Sequence, residues 1–279
     1  MTECISREKI LQFKDYLTVN EKSRATIQKY IHDIEELYGF LQDESITKEM
    51  LLNYRARLHE KHKAQTVNGK LSAVNAFLAF IGQNTLKLKL LRVQRKAFIE
   101  ENRELSEKEY KRLLNTALSR HNERLYLLML TICGTGIRIS ELAYITVGAV
   151  RCGRAEISLK GKDRTVLIPR ELCKKLLKYS AKNDIAQGCI FCTKSGNPID
   201  RSNICHDMKK LCKEAGVDSD KVFPHNLRHL FARSFYSVEK NLAHLADILG
   251  HSSIETTRIY VAASAREHER VMCKMKLII

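Results

Sequence analysis

The chain has 279 residues, of which 44% are hydrophobic and 29% are charged, and it contains only three prolines. This composition is typical of a globular protein of one or two domains and argues against disorder. The 48 basic and 32 acidic residues leave a net charge of +16. Such an excess favours a polyanionic partner, most simply nucleic acid, although it also serves solubility. The N-terminus has no apolar signal segment and the apolar runs are too short to span a bilayer, so we expect a cytoplasmic protein without membrane contact.

The nine cysteines are expected to be reduced thiols, because their number is odd and no export signal precedes them. Cys189 and Cys192 have the CxxC spacing of some metal and redox sites. Cys205 and Cys212 are spaced wrongly to supply the second pair of a zinc site. We therefore expect Cys189 and Cys192 to belong to a short apolar strand, and we expect neither a metal ion nor a cofactor.

Residues 1–86 have the periodicity of helices. Ser23 is a candidate N-cap for a long amphipathic helix, and further helices are predicted before it, after Thr47 and after Thr66. Four helices with short polar connections indicate a compact bundle. Charge is uneven here, with a net of −3 over residues 1–47 and +9 over residues 48–96. The basic part is what contacts to DNA phosphates require, so we interpret this region as a DNA-binding domain.

Residues 87–103, KLKLLRVQRKAFIEENR, have weak periodicity and six basic side chains. We interpret them as a basic linker between domains. Such a segment could follow a DNA duplex or could be a solvated connector, and the sequence favours neither.

Residues 104–279 show a mixed pattern. The spacing of Ser106 and Glu109 predicts the start of a helix, and a later helix is expected to end near Gly136. Residues 155–168 predict a hairpin around a Gly-Lys-Asp turn. Further helices are predicted over residues 171–181, 203–215, 226–236, 242–249 and 254–278. The fold class is therefore mainly α with a small antiparallel β-sheet, in a helical bundle followed by an α+β domain.

Several basic residues of this second region suit a phosphate. Arg138 follows a glycine turn at a helix start, where backbone N–H groups also favour an anion. Lys160 and Lys162 lie at the hairpin turn, from which a long amine can reach a groove. His225 and Arg228 are three residues apart and share one face of a helix.

Two more positions complete the set. In LGHSSIETTRIY, His251 precedes Tyr260 by nine residues. In this order, Arg138, a lysine, His-x-x-Arg, LGH and a tyrosine resemble the signature of the tyrosine recombinase (phage integrase) family, of the Xer-like kind. The segments SRATIQKYIHDIEELYGFL and TVNGKLSAVNAFLAFIG also resemble that family's helical core-binding domain, so the resemblance covers nearly the whole chain.

The resemblance implies a role for each matching residue. Arg138 and Arg228 would bind the scissile phosphate, His225 would act as general base or hydrogen-bond donor, and His251 would donate a second hydrogen bond. Lys160 would be the general acid, and Tyr260 would be the nucleophile. Glu141, one helical turn after Arg138, would orient that arginine.

The physical chemistry agrees with these roles. Two arginines can neutralise the non-bridging oxygens of a phosphodiester bidentately. A phenol, with an ordinary pKa of about 10, leaves more readily than an aliphatic alcohol. A phosphotyrosine conserves the energy of the ester, so rejoining needs neither ATP nor metal, and no P-loop motif occurs in the sequence.

Each residue also has a plainer interpretation. Lys160 could be a solvated turn residue, and Lys162 is its rival as the catalytic lysine. His225 and His229 have the i, i+4 spacing of a metal pair but lack the glutamate of an HExxH motif. Asn226 stands where the family commonly has aspartate, and we expect a structural role there.

The resemblance further implies a substrate of double-stranded DNA with paired half-sites and a homotetramer on that DNA. The helical stripe of Val271, Met272 and Met275 predicts a C-terminal exchange segment that docks on a neighbouring subunit or on its own domain. A type IB topoisomerase shares the chemistry, but the short N-terminal domain favours a recombinase. A non-catalytic DNA-binding module is disfavoured by the complete set of polar residues. The chain starts directly with the helical domain, so we expect short inverted half-sites, while integration, excision, inversion and resolution all stay open.

Overall fold

A computed structural model of the protein describes residues 5–42, 45–93, 103–159, 161–193, 195–251, 253–261 and 273, with only the backbone described at residues 162 and 259–261. The chain divides into two compact units, Met1–Arg95 and Lys96–Ile279. The predicted limits of the two domains and the linker stay predictions. Within the described part of the chain, every helix is too short or too polar to cross a lipid bilayer.

The first unit is a bundle of helices joined by short connections. They are α1 (Arg7–Val19), α2 (Arg24–Leu41), α3 (Lys48–Lys61) and α4 (Ala64–Phe80). The predicted cap at Ser23 is present, since its side chain accepts a hydrogen bond from the Thr26 backbone. Thr47 caps α3 in the same way. The fourth helix begins two residues before Thr66, so that Val67 already lies on its buried face.

The core of this unit follows the apolar stripes. The rings of Phe13 on α1 and Phe77 on α4 meet edge to face, with centroids 5.2 Å apart. Leu37 of α2 and Leu71 of α4 are fully buried in the same hydrophobic core. Full burial of such a side chain contributes roughly 1.5–3 kcal/mol to folding. The apolar periodicity therefore accounts for the packing of the bundle.

A charged cluster joins α2 to α4, and its central residues Asp33 and Lys70 are buried. Asp33 accepts from Lys29 at 3.0 Å and from Lys70 at 3.4 Å, and Lys70 also pairs with Glu36. Asp33 is 3% exposed. Its carboxylate is therefore matched by two ammonium groups, one of them on the facing helix.

Residues 87–93, assigned above to the linker, are attached to the first unit by side chains of α4. Asn75 exchanges two hydrogen bonds of 2.8 Å with the backbone of Leu88, and Asn68 does the same with Leu91 at 2.7 and 2.9 Å. Seven residues of helix rise about 10.5 Å, which matches the roughly 10 Å spanned by three extended residues. The start of the basic segment is thus held along α4.

The second unit contains further helices and one hairpin. Its helices are α5 (Glu107–Ser119), α6 (Glu123–Thr135), α7 (Val147–Cys152), α8 (Arg170–Lys182), α9 (Arg201–Ala215), α10 (Pro224–Val238), α11 (Leu242–Leu249) and α12 (Ile254–Val261). The predicted capping box is present, because Ser106 and Glu109 exchange hydrogen bonds at the start of α5. A 3₁₀ helix spans Ile139–Tyr144. The part of the helix predicted to follow 261 lies outside the described residues, apart from residue 273.

The hairpin consists of β1 (Arg154–Leu159) and β2 (Lys162–Leu167), paired antiparallel. Leu159 pairs with Lys162, so the strand begins at Lys162 and the connection is tighter than the predicted Gly-Lys-Asp turn. Gly161 has φ +69°, a conformation that glycine adopts without strain. The predicted sheet is therefore present, with two residues between its strands instead of the predicted three.

The core of the second unit surrounds α6, where Leu128, Met129 and Ile132 are buried. Residues Cys189 and Cys192 form isolated β-bridges, with Thr146 and Pro198 respectively, rather than the short strand predicted for them. The cysteines that the structure describes are free thiols. The fold class predicted from the sequence, mainly helical with a small antiparallel sheet, is confirmed.

Candidate active site

Gly136 directs the chain from α6 into the segment of Arg138. It caps α6 with φ +64°, and a Cβ at this position would lie 2.5 Å from a ring carbon of Phe231. Both the backbone conformation and the close approach therefore require glycine. Arg138 follows as the N-cap of the 3₁₀ helix, as the sequence predicted, and its side chain is 38% exposed.

Glu141 holds Arg138 from within the same helix. Its carboxylate accepts from the Arg138 backbone N–H at 2.8 Å and from Nη1 of the side chain at 2.9 Å. Arg164 of β2 donates to the same carboxylate at 2.5 Å. Burial raises the pKa of Glu141, but hydrogen bonds from Arg164 and Arg138 outweigh it and leave that pKa below its ordinary value. Glu141 is therefore a buried, ionised group between two arginines.

Arg228 of α10 is almost completely covered, with 1% of its surface exposed. Its Nη1 donates to the Gly136 carbonyl, and its Nη2 donates to the Leu249 carbonyl at 2.7 Å. Nη2 also lies 2.9 Å from Nε2 of His251. Arg138 and Arg228 thus border the same turn, but Arg138 is the more accessible of the two.

Three arginines meet the C-terminal end of α11. Arg164 donates to the carbonyl of Ile248 at 2.8 Å, Arg228 to that of Leu249, and Arg138 to that of Gly250 at 3.1 Å. The last carbonyls of a helix lack intrahelical partners and form the negative end of its dipole, so cations are stabilised there. Successive residues of one turn therefore fix guanidinium groups that come from three separate elements.

His251 follows this turn and connects it to α12. Its Nδ1 lies 2.8 Å from Oγ1 of Thr257, which is fully buried. An arginine N–H can only donate, so Nε2 of His251 accepts from Arg228 and the ring proton resides on Nδ1. The hydroxyl of Thr257 is then the acceptor of that proton.

Burial lowers the pKa of His251 to about 4, and the positive charges of Arg228, Arg138 and Arg164 act in the same direction. The imidazole is therefore neutral at neutral pH. In this state it can exchange its proton between the two ring nitrogens but carries no positive charge of its own.

His225, at the start of α10, keeps an exposed side chain. Partial desolvation lowers its pKa, followed by the charges of Arg228, Arg201 and Arg138. Its ring meets that of His229 edge to face, with centroids 4.7 Å apart. A group of three or more His, Cys, Asp or Glu side chains able to hold a metal ion does not occur among the residues described.

Asn226 has a structural environment. Its amide donates to the carbonyls of Arg103 at 3.0 Å and Lys221 at 2.7 Å. An aspartate could not make these bonds, because a carboxylate does not donate. The asparagine thus serves the packing of the start of this unit.

Two predicted residues cannot be located fully. Lys160 lies outside the described residues, and the side chain of its rival Lys162 is also not described. Tyr260 belongs to α12, one turn beyond Thr257, with only its backbone described. The C-terminal stripe of Val271, Met272 and Met275 likewise falls outside the described part of the chain.

The sequence analysis missed Arg164 and Thr257. Arg164 could have been found from the alternation of β2, because Val166 on the same face is buried, as is Ile157, its cross-strand partner. A charged residue in register with core positions requires a partner inside. Thr257 carries no comparable signal, because a threonine on a short helix is ordinary.

Comparison with family models assigns both parts of the chain. Residues 103–267 match the model described as the phage integrase family. Residues 10–84 match the N-terminal SAM-like domain of phage integrases. The predicted resemblance is therefore confirmed for both regions.

Similar proteins and structures point the same way. Tyrosine recombinase XerA of Pyrococcus furiosus is 26% identical over 288 residues, covering 100% of this chain and 98% of the relative. Tyrosine recombinase XerH of Campylobacter jejuni is 34% identical over 166 residues, which cover 56% of this chain and 47% of the XerH chain. A lambda integrase dimer bound to a COC′ core site is 17% identical, with a TM-score of 0.76 over 95% of this chain and 97% of that one. The chain therefore belongs to the phage integrase family, the tyrosine recombinases that its motifs predicted.

Proposed function

We propose that this protein is a site-specific recombinase that cleaves and rejoins double-stranded DNA through a covalent 3′-phosphotyrosyl intermediate. The observation that carries the proposal is the convergence of Arg138, Arg228 and His251 on one turn, directly before the helix that contains Tyr260. Family membership supplies the chemistry, and these contacts supply the candidate residues.

In the first step the Tyr260 oxygen attacks the scissile phosphorus. A bond forms from phosphorus to the phenolic oxygen, and the bond to the 5′ oxygen breaks. His225, neutral because of its lowered pKa, is suited to accept the phenolic proton. Lys160 donates a proton to the 5′ oxygen as it leaves. Rejoining is the reverse reaction, in which a 5′ hydroxyl attacks the phosphotyrosine.

The arginines stabilise the charge of this step. A phosphodiester carries one negative charge, and an attacking phenolate brings a second. Arg138, Arg164 and Arg228 against Glu141 leave a formal charge of +2 among these four groups, which matches that dianion. Preorganised charge of this kind is the usual main source of stabilisation for a phosphoryl transition state.

Access to Arg228 requires one contact to change. Two of its nitrogens donate to main-chain carbonyls that belong to the turn and to Gly136. The third contact, to Nε2 of His251, is the one that a phosphate oxygen can replace. His251 would then turn an N–H toward the phosphate, as its proposed role requires.

The proposed partners follow from the substrate. Paired half-sites on one duplex need two subunits, and exchange between two duplexes needs four, so we propose a homotetramer on DNA. The basic residues of 48–96 would contact phosphates, and the C-terminal segment would reach a neighbouring subunit. A protein acting on DNA in this way works in the cytoplasm, where we place it.

The test is covalent capture. The protein is incubated with a pool of nicked duplexes of randomised sequence, and DNA that stays bound after denaturation is sequenced. We expect adducts joined through the 3′ phosphate, with a free 5′ hydroxyl that a kinase can label. Tyr260→Phe should bind the selected duplex but give no adduct. Absence of adducts from the wild type, or adducts formed by the Phe variant, would overturn the proposal.

A second assay separates the recombinase from a type IB topoisomerase. The selected duplex is placed on two plasmids, and joint molecules are measured. A recombinase joins the plasmids, whereas a topoisomerase only relaxes them.

A further inference from the structure

Arg164 is the third arginine at the turn of α11, and in the proposed step it contributes only its charge to the total of the site. Its side chain is 11% exposed and starts from the buried face of β2. Its guanidinium bridges two elements, donating from Nη2 to Glu141 and from Nη1 to the Ile248 carbonyl. Because a guanidinium is planar and rigid, these two acceptors are held at a fixed separation.

The first bridge determines how much of the positive charge of Arg138 is compensated by Glu141. A buried carboxylate with Arg138 as its single partner would draw that guanidinium toward itself and neutralise it. Arg164 shares the Glu141 carboxylate from the other side, at 2.5 Å against 2.9 Å for Arg138 Nη1. The trio then carries a net charge of +1, so that a positive charge is left for an anion.

The second bridge controls the turn that precedes His251. Ile248 is held by Arg164, and Gly250 is held by Arg138. The approach is close, because a Cβ at Gly250 would lie 2.3 Å from Cδ of Arg164, and Gly250 itself has φ +62°. Glycine at this position therefore admits the Arg164 side chain as well as the backbone turn.

We propose that Arg164 is a positioning residue for strand cleavage, which aims Arg138 through Glu141 and fixes the 248–250 turn that carries His251. The inference rests on the proposed recombinase function and deepens it. Arg164 does not touch the DNA; it sets the position and the effective charge of groups that do.

Arg112 provides a matched control. Its Nε and Nη2 donate, both at 2.9 Å, to the carbonyls of Ala215 and Gly216 at the C-terminus of α9. It therefore makes the same kind of helix-end contact in the same unit, without a link to Glu141. Any effect common to Arg164 and Arg112 variants reports helix capping and folding.

The experiment measures single-turnover cleavage of the nicked duplex selected above, at saturating protein, for Arg164→Ala, Arg164→Lys and Arg112→Ala. Misplacement of a catalytic group by about 1 Å can cost 10²-fold in rate. We expect a loss of that order for Arg164→Ala, with the binding constant for DNA within about threefold. Arg164→Lys should recover part of the rate, because an ammonium group replaces the charge but cannot bridge Glu141 and the Ile248 carbonyl as the planar guanidinium does. Added guanidinium ion should partly rescue Arg164→Ala. Arg112→Ala should cleave at the wild-type rate.

Two further measurements exclude a merely structural role. With a neutral methylphosphonate at the scissile position, the ratio of wild-type to Arg164→Ala rates should shrink toward one, because the charge that Arg138 must meet is absent. Glu141→Gln combined with Arg164→Ala should be no slower than the slower single variant, because both act on Arg138.

Three outcomes are decisive. If the wild type forms no adduct, the recombinase function itself fails and this inference with it. If the wild type cleaves and Arg164→Ala cleaves equally well, or loses rate only in proportion to its unfolded fraction, the inference alone is overturned. If Arg164→Ala does not fold, the same comparison is made with Arg164→Lys, and an unchanged methylphosphonate ratio overturns the proposal.

Discussion

Both units of this protein bury charged side chains, but they balance them differently. In the first unit, Lys29 and Lys70 face Asp33 and Glu36, so the formal charges cancel. At the turn of α11 in the second unit, Arg138 and Arg164 pair with the carboxylate of Glu141 and Arg228 donates to the Leu249 carbonyl, so three arginines stand against one carboxylate among the contacts described above. The remaining positive charge there is held by helix-end carbonyls, which carry only partial charges.

The difference separates a structural cluster from a site. A balanced cluster has its partners within the fold and joins α2 to α4. An excess of cations in a partly covered place is costly unless an anion joins it, because desolvated charge requires compensation. The imbalance of charge therefore supports the proposed phosphate site, independently of motif recognition.

The largest effect that we predict concerns Arg228. Replacing it with methionine removes a charge that, in the proposed mechanism, binds the scissile phosphate, and loss of one such group costs on the order of 10³-fold in rate. We expect single-turnover cleavage to fall by that factor. Arg120, whose pair with Glu214 is solvent-exposed, is the control, since exposed pairs contribute little. Equal cleavage rates for Arg228→Met and wild type would contradict the interpretation that the excess of arginines at the turn of α11 forms the site while the balanced cluster of the first unit is structural.

The next prediction breaks the balance of the first unit. Lys70→Met leaves Asp33 buried with one partner fewer, and uncompensated buried charge costs about 3 kcal/mol. We expect that loss in the free energy of unfolding, measured by urea denaturation of the full chain. Lys210→Met, which removes an exposed pair with Asp207, should change it little. Adding Asp33→Leu to Lys70→Met should restore much of the loss, because the pair is then removed completely; a further decrease would contradict this.

The elements of the fold could be predicted because local signals specify them. The caps at Ser23, Thr47 and Ser106 marked the starts of three helices, and Gly136 marked the end of α6. Apolar periodicity identified the buried faces. Where the prediction differed, the local signal was weak: α4 begins at Ala64, and the residue at its N-cap position, Lys63, makes no side-chain capping hydrogen bond.

The site could be predicted in part. Arg138, Arg228 and His251 belong to motifs of fixed spacing, so their convergence was expected from the family resemblance. The contacts of Arg164 with Glu141 and Ile248 join residues 23 and 84 positions apart, and no local pattern encodes such distances. The near-complete burial of Arg228 was also not foreseen, because it depends on carbonyls from two other elements.

Thr257 acts on the proposed site through a single hydrogen bond to His251. When His251 donates from Nε2 to a phosphate, Nδ1 must accept, and the Thr257 hydroxyl can rotate to become the donor. Thr257→Val keeps the shape but removes this donor. A hydrogen bond contributes about 1 kcal/mol, so we expect cleavage about fivefold slower and nearly unchanged DNA affinity. Thr257→Ser should stay close to wild type; equal slowing in both variants would indicate a packing effect instead.

The smallest predicted effect is a pH dependence of stability that arises at the arginine-rich site. Burial lowers the pKa of His229 to about 3, and His225, Arg233 and Arg228 act in the same direction. The unfolded chain binds a proton below about pH 6.5, whereas the folded protein does not until near pH 3. The stability that His229 supplies in its neutral form is therefore present above pH 6.5 and declines as the pH falls toward 3.

His229→Gln removes this titration while keeping a polar side chain. At pH 5 the wild type should have lost about 1 kcal/mol relative to pH 7.5 on account of His229, after allowance for partial exposure of the ring. The variant should lose about 1 kcal/mol less than the wild type over the same pH interval, measured by urea denaturation at both pH values.

The pKa of Glu141 is lowered from its ordinary value, so its contribution to stability is lost only at lower pH and does not interfere with this measurement. His225 and His251 have lowered pKa values and are present in both proteins, so the difference between the two curves reports His229 together with its coupling to His225. Parallel curves of stability against pH for wild type and variant would contradict this prediction. They would mean that His229 is protonated at pH 5 in the folded protein as in the unfolded chain, and that burial and the neighbouring positive charges do not lower its pKa.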